Sequence, residues 1–186
     1  RTPPTAHDHV DIVIEGGRCL RYRDPRRFGS FHFTTDPADH PLLAALGPEP
    51  WDPAFTGEYL HGRSRGRRQS VKTFLMDSRT VVGVGNIYAS ESLHAAGIHP
   101  ARRAGRIGAA RYEQLAGAVR TTLEAAIAAG GTTLRDFTDA AGNPGYFRLT
   151  LAVYDREGEP CLRCAAPVRR SVLGQRATYY CVQCQR

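Results

Sequence analysis

The period of the hydrophobic pattern changes along this chain. Residues 10–14 and 19–22 are short β-branched and aromatic runs on either side of Gly16-Gly17, the composition of a hairpin. A two-residue turn at those glycines sets Glu15 opposite Arg18 and Val13 opposite Leu20. Residues 30–33 repeat the strand pattern. Leu46-Gly47-Pro48-Glu49-Pro50 then reads as a stiff linker and a domain boundary. Beyond it the period turns helical. Residues 54–62 suit a short helix, and Val71, Phe74 and Leu75 give the next one an apolar stripe with Lys72 on another side. A third helix leads out of residues 82–88 and stops at Gly97. The clearest spans 111–129, where Leu115, Ala118, Val119, Thr122, Leu123, Ala126 and Ile127 make one stripe, expected to be core, before Gly130-Gly131.

After a glycine- and proline-punctuated stretch the chain ends on two Cys-x-x-Cys knuckles. Cys161 and Cys164 are separated from Cys181 and Cys184 by sixteen residues, a spacing at which a hairpin brings four thiolates around one tetrahedral ion. Leu173-Gly174 supplies the turn and Thr178-Tyr179-Tyr180 the strand propensity. Arg169, Arg170 and Arg176 would make the hairpin's tip cationic. Two disulfides are the competing arrangement. No stretch reads as a signal peptide or membrane span, and five cysteines in 186 residues are not a disulfide scaffold, so one structural zinc is expected. Four thiolates leave no position open for a reacting water, so any chemistry lies elsewhere.

Charge changes the picture further. There are 25 basic against 18 acidic residues, a net +7, and Lys72 is the sole lysine. Arginine grips phosphate through a planar fork, so the balance points to a polyanion partner. Several stretches could meet one, and each has a plainer reading. The run Arg63, Arg65, Arg67 and Arg68 reads by itself as a solvated face. In Asp24-Pro25-Arg26-Arg27-Phe28-Gly29 either Asp24 pairs an arginine in an ordinary turn, or Arg and Phe form a wedge against a nucleic-acid helix. Val82-Gly83-Val84-Gly85-Asn86 either opens backbone N–H groups to an anion at a helix start or makes a tight interhelical turn; no strand precedes it, which excludes a dinucleotide fold. The stretch 138–147 is either a closing loop or a connection. His7-Asp8-His9 lacks further ligands nearby and reads as structural or exposed, and Cys19 as a small buried apolar residue.

Taken together, Asp-Pro-Arg-Arg-Phe-Gly, Val-Gly-Val-Gly-Asn-Ile-Tyr-Ala-Ser-Glu-Ser-Leu, Gly-Gly-Thr-Thr-Leu-Arg-Asp-Phe, Pro-Gly-Tyr-Phe and Gln-Arg-Ala-Thr-Tyr-Tyr-Cys stand in a fixed order over nearly the whole chain. The set closely resembles the bacterial formamidopyrimidine-DNA glycosylase family, which shares its fold with endonuclease VIII. The resemblance implies an α+β chain: the remainder of a β-sandwich catalytic domain over 1–46, a linker at 47–53, a helical domain with a helix–two-turn–helix over 54–148, and a zinc-ribbon hairpin over 149–186. It implies base-excision repair, with removal of 8-oxoguanine and formamidopyrimidines followed by β,δ-elimination at the abasic site. By the same resemblance Arg26 faces the orphaned base and Phe28 is the wedge. Lys72 lies near the lesion, and Asn86 and Arg176 hold phosphates. Thr138, Gly142, Gly145, Tyr146 and Phe147 belong to the loop closing over the everted base, while Cys161, Cys164, Cys181 and Cys184 bind zinc.

The family's catalytic N-terminal proline and glutamate, a phosphate-gripping lysine and a wedge methionine have no counterparts here; Pro3 and Pro4 are not terminal. The chain is therefore expected to be the C-terminal three-fifths or more of such an enzyme, with no catalytic residue of its own. It should bind duplex DNA with an oxidised purine or abasic site, without excision, as a monomer in the bacterial cytoplasm at the nucleoid, with no membrane partner. Residues 1–46 should expose an apolar face and unpaired strand edges. Two rival readings are a non-catalytic zinc module for damaged or bent DNA and a zinc ribbon bound to RNA.

Overall fold

The computed structural model describes residues 3–131 and 151–186. Arg1–Ala44 and Ala45–Arg186 form two compact units. In the first, β1 (Asp8–Val13) pairs antiparallel with β2 (Cys19–Arg23). The register differs from the expected one by a residue: Val13 lies opposite Cys19 and Ile12 opposite Leu20. The cause is the loop. Glu15, Gly16 and Gly17 form a helical turn with both glycines at positive φ, and Ile14 N–H closes on Arg18 O at 3.0 Å. A three-residue connection therefore replaces the two-residue one, which moves each side chain of one strand to a new partner. Residues 30–33 join no ladder, since among the described residues this unit offers no further strand to pair with. Ile12, Val13, Ile14, Leu20, Phe31 and Phe33 are exposed, so large apolar side chains of this region lie in solvent.

The second unit holds the core. Thr56 accepts Tyr59 N–H at 3.0 Å to start α1 (Gly57–Ser64), and Ser70 accepts Thr73 N–H at 3.2 Å to start α2 (Val71–Leu75), each side chain satisfying an otherwise orphaned donor. Gly57 packs so closely on the backbone of Glu113, in a later helix, that a Cβ there would collide with it. From α2 the chain passes through a turn closed by Thr80 N–H on Asp77 O and a bend at Gly83, at φ +79°, into α3 (Asn86–Ala95). α3 stops where Gly97 takes positive φ, and α4 runs over Ala109–Ala128.

Phe55, Leu60, Phe74, Leu93, Tyr112 and Leu115 are buried together between these helices. The core stripe of α4 begins a turn earlier than the sequence suggested, at Tyr112, and includes Ala116. Ile127, at the stripe's edge, is 64% exposed. The proline-rich segment at 46–50 is no free linker: Gly47 N–H donates to Ser78 O and Val82 N–H to Pro48 O, so it lies along the α2–α3 connection.

The C-terminal hairpin joins β3 (Arg169–Leu173) to β4 (Arg176–Tyr180). Gly174 and Gln175 both have positive φ, as a two-residue turn between right-twisted strands requires. Arg176 flanks the turn. Arg169, opposite Tyr180, lies at the far end, and Arg170 is 4.0 Å from Glu157. The tip thus carries one of the three expected cations. Thr138, Gly142, Gly145, Tyr146 and Phe147 lie outside the described residues. No helix among the described residues is long and apolar enough to cross a membrane.

Candidate nucleic-acid interface and metal centre

Within the second unit, α2, the start of α3 and the start of β4 converge on one carbonyl. Lys72 Nζ donates to Ala177 O at 2.9 Å and to Thr178 Oγ1 at 2.7 Å, and Asn86 Nδ2 donates to the same Ala177 O at 3.1 Å. Arg176, the residue before, is exposed. The three sequence-derived residues of this unit therefore meet at one junction, in different roles. Lys72 has no exposed surface, so its amine is part of the interior rather than of the binding surface. Burial pushes its pKa down to about 8, and the Arg176 guanidinium acts in the same direction.

Among the described residues Asn86 Oδ1 is buried without a hydrogen-bond partner, and no side chain caps the N–H groups at the start of α3. A helix start whose N–H groups no side chain caps favours an anion.

In the first unit the Asp24 carboxylate accepts Gly29 N–H at 2.7 Å, Tyr22 O–H at 3.2 Å and Arg26 N–H at 3.2 Å. Its partners are the turn's own backbone and the Tyr22 hydroxyl, whereas the plainer sequence reading had it pair with an arginine. The Gly29 N–H is the main cause holding this carboxyl below its ordinary range. A Cβ at Gly29 would meet the Tyr22 hydroxyl, so a larger residue there would have to displace that side chain. The closed turn displays Arg26 stacked 4.9 Å over Phe28, a ring 81% exposed. His9 contacts Asp24 O at 3.1 Å, a structural role. Cys19 is half-buried.

The metal centre is compact. One sulfur from each of Cys161, Cys164, Cys181 and Cys184 lies within 4.8 Å of all the others, with Cys164 and Cys181 3.4 Å apart and Cys161 and Cys184 3.9 Å apart. Tetrahedral zinc with Zn–S bonds of about 2.3 Å needs sulfurs about 3.8 Å apart. The donor set and its spacing fit one zinc ion in a closed, structural site.

Two further ties surround this centre, neither of them indicated by motif spacing. His94, in the last turn of α3, reaches Cys161 Sγ at 3.4 Å, and the buried Gln185 accepts Cys181 N–H at 2.8 Å and donates to Ile98 O at 2.9 Å. A third lies higher on α3, where the buried Glu91 carboxylate accepts the N–H groups of Ala152, Val153 and Tyr154. Periodicity could have flagged His94 and Glu91 as polar residues on the packed side of α3, but their partners lie about sixty residues away.

Comparison with known proteins agrees with this geometry. Residues 46–138 match the formamidopyrimidine-DNA glycosylase H2TH domain, and residues 158–186 match the zinc finger found in FPG and IleRS. The formamidopyrimidine-DNA glycosylase of Alkalilimnicola ehrlichii is 64% identical over 99% of this chain and 67% of its own length; that of Syntrophotalea carbinolica is 61% identical over 100% and 69%. Among solved structures, MutM (Fpg) of Thermus thermophilus superposes with a TM-score of 0.87 at 40% identity, covering 100% of this chain and 71% of that one. Lactococcus lactis Fpg in complex with abasic-site DNA superposes with a TM-score of 0.86 at 29% identity, covering 100% and 68%. The helix–two-turn–helix, the four-cysteine zinc site and relatives of this identity over two thirds of their length lead to one assignment: the chain belongs to the formamidopyrimidine-DNA glycosylase family.

Proposed function

We propose that this chain grips duplex DNA carrying an oxidised purine or an abasic site, within base-excision repair that removes the purine and nicks the strand by β,δ-elimination. The observation that carries the reading is the junction at Ala177, whose carbonyl Lys72 and Asn86 both hold, one residue after the exposed Arg176 and at the start of α3. In support, solved complexes of Lactococcus lactis Fpg contain DNA with Fapy-dG or an abasic site.

In this reading Asn86 and Arg176 hold phosphates. Lys72 acts from inside, fixing the Ala177 carbonyl and with it the start of β4, so that Arg176 is presented in one place. Arg26 and Phe28 enter the duplex at the vacated position, and residues 138–147 close over the everted base. A base inside a duplex is out of reach of any chemistry, and everting it costs a few kcal/mol. A wedge that fills the hole and cations that neutralise phosphates offset that cost.

Excision with strand cleavage needs an amine that forms a Schiff base with the sugar. The only side-chain amine is Lys72, and it is buried with its hydrogen bonds made. These 186 residues by themselves are therefore assigned binding without excision, as a monomer acting at the bacterial nucleoid.

Fluorescence anisotropy at matched salt tests this, comparing duplexes with 8-oxoguanine or an abasic analogue, an undamaged duplex and a structured RNA. Borohydride is added in parallel. Tighter binding to the lesion duplexes with no trapped adduct is expected. Equal affinity for the RNA would favour an RNA-binding zinc ribbon, and a trapped adduct would overturn binding without excision.

A further inference from the structure

Zinc held by four thiolates leaves the centre with a net negative charge, carried on the sulfurs. How reactive each sulfur is toward electrophiles depends on what draws that charge away. Cys161 is distinctive in this respect. It is almost completely buried and receives the Arg163 backbone N–H at 3.5 Å together with the His94 ring at 3.4 Å, Nε2 to Sγ. His94 is itself buried.

A sulfur bonded to zinc has no proton to give, so in this pair the imidazole must be the donor. That fixes the tautomer with hydrogen on Nε2. The backbone around His94 reinforces the contact, because Arg163 Nη1 donates to His94 O at 3.1 Å and to Ala95 O at 3.4 Å. The second knuckle docks at the same helix end, through Gln185 to Ile98 O and through Arg186 N–H to Gly97 O at 3.0 Å.

We infer that His94 is a positioning residue of the zinc centre: its Nε2–H donates to the Cys161 sulfur, shields that sulfur from electrophiles and fastens the first knuckle to the end of α3. The inference rests on the zinc site and not on the DNA reading, and its test uses no DNA.

The test uses the full zinc-loaded chain, with His94→Phe, which keeps a ring of similar bulk without a donor, and His94→Gln, which restores an N–H. Iodoacetamide alkylates a bound sulfur: a sulfur–carbon bond forms, iodide leaves, and the resulting thioether releases the metal to a chromogenic indicator. His94→Phe should release zinc on the order of fivefold faster, the rate equivalent of one net hydrogen bond. Peptide mapping should find Cys161 alkylated faster in His94→Phe than in the unsubstituted chain, and His94→Gln should recover most of the protection. Equal release by all three proteins, or equal acceleration in both variants, overturns the inference.

A measurement on the unsubstituted protein covers the case where a variant does not fold. With NMR-active cadmium in place of zinc, the Hε2 proton of His94 should show scalar coupling to the metal through the Cys161 sulfur. A ring protonated only on Nδ1, or one without that coupling, contradicts it.

Discussion

The first unit, up to Ala44, leaves Ile12, Leu20, Phe31 and Phe33 in solvent. The second buries Phe55, Leu93, Tyr112 and Leu115 completely. Both have ordinary secondary structure, so local propensity does not separate them. The difference is layers. A two-stranded sheet has nowhere to put its apolar face, whereas four helices and a metal-closed hairpin enclose theirs. Order in the first unit comes from local polar contacts instead: the Asp24 turn, and Arg21 against Asp11 at 2.8 Å. The contrast also divides the candidate site. The proposed wedge stands on a locally braced turn, and the proposed phosphate-binding junction on a packed interior.

Removing the metal should expose this contrast most sharply. Structural zinc contributes on the order of 10 kcal/mol to folding in small zinc domains. Chelation should therefore abolish hydrogen-exchange protection across β3 and β4 while leaving β1 and β2 unchanged; a hairpin still protected without metal would break the account of what closes it. Next in size is the core. Leu93→Ala should lower stability by about 2–5 kcal/mol in denaturant titration, whereas Leu20→Ala, at an exposed position, should stay within about 0.5 kcal/mol. Comparable costs at the two positions would mean that the first unit hides its apolar face after all.

Lys72 gives a pH signature that belongs to the second unit alone. Its pKa of about 8 in the folded protein lies below the ordinary lysine value of about 10.4. Between those values the unfolded chain binds more protons, so stability rises with pH. Below the folded pKa the burial cost of the charge is fully present, on the order of 3 kcal/mol; above the unfolded value it is gone. Lys72→Met should lack this rise in unfolding curves taken from pH 7.5 to 10.5. An equal rise in the variant would remove Lys72 as its source. The smallest effect is at turns. Gly16 and Gly174 both have positive φ, but only at Gly174 would a Cβ press on a neighbour, Thr73 Cγ2. Alanine should cost about 1 kcal/mol from φ at either, and more at Gly174. A cheaper Gly174→Ala would show that the hairpin tip has room to shift.

Much of this was legible in the sequence where the signal is local. The knuckles, the hairpin turn at Gly174, the glycine stop after α3 and the body of α4 follow from spacing, turn chemistry and period. The β1–β2 register did not, because a Gly-Gly pair permits a three-residue loop as readily as a two-residue one. The cationic tip was overdrawn, because residues close in sequence separate by over 3 Å per step along a strand, which carries Arg169 away from the turn. Lys72 could not be placed by type: a lone lysine on an amphipathic helix reads as exposed, and only the Ala177 and Thr178 acceptors, a hundred residues away, give it a place inside. His94 at the zinc centre was hidden for the same reason.

The claim on which the account turns is that Arg176, set by Lys72 beside Asn86, holds DNA phosphate. The salt dependence of binding to an abasic-site duplex tests it directly, comparing the unsubstituted chain with Arg176→Ala. Loss of one phosphate contact should weaken binding and reduce the slope of log K against log salt by about 0.9. An unchanged slope, with affinity intact, would show that this guanidinium does not touch the DNA backbone.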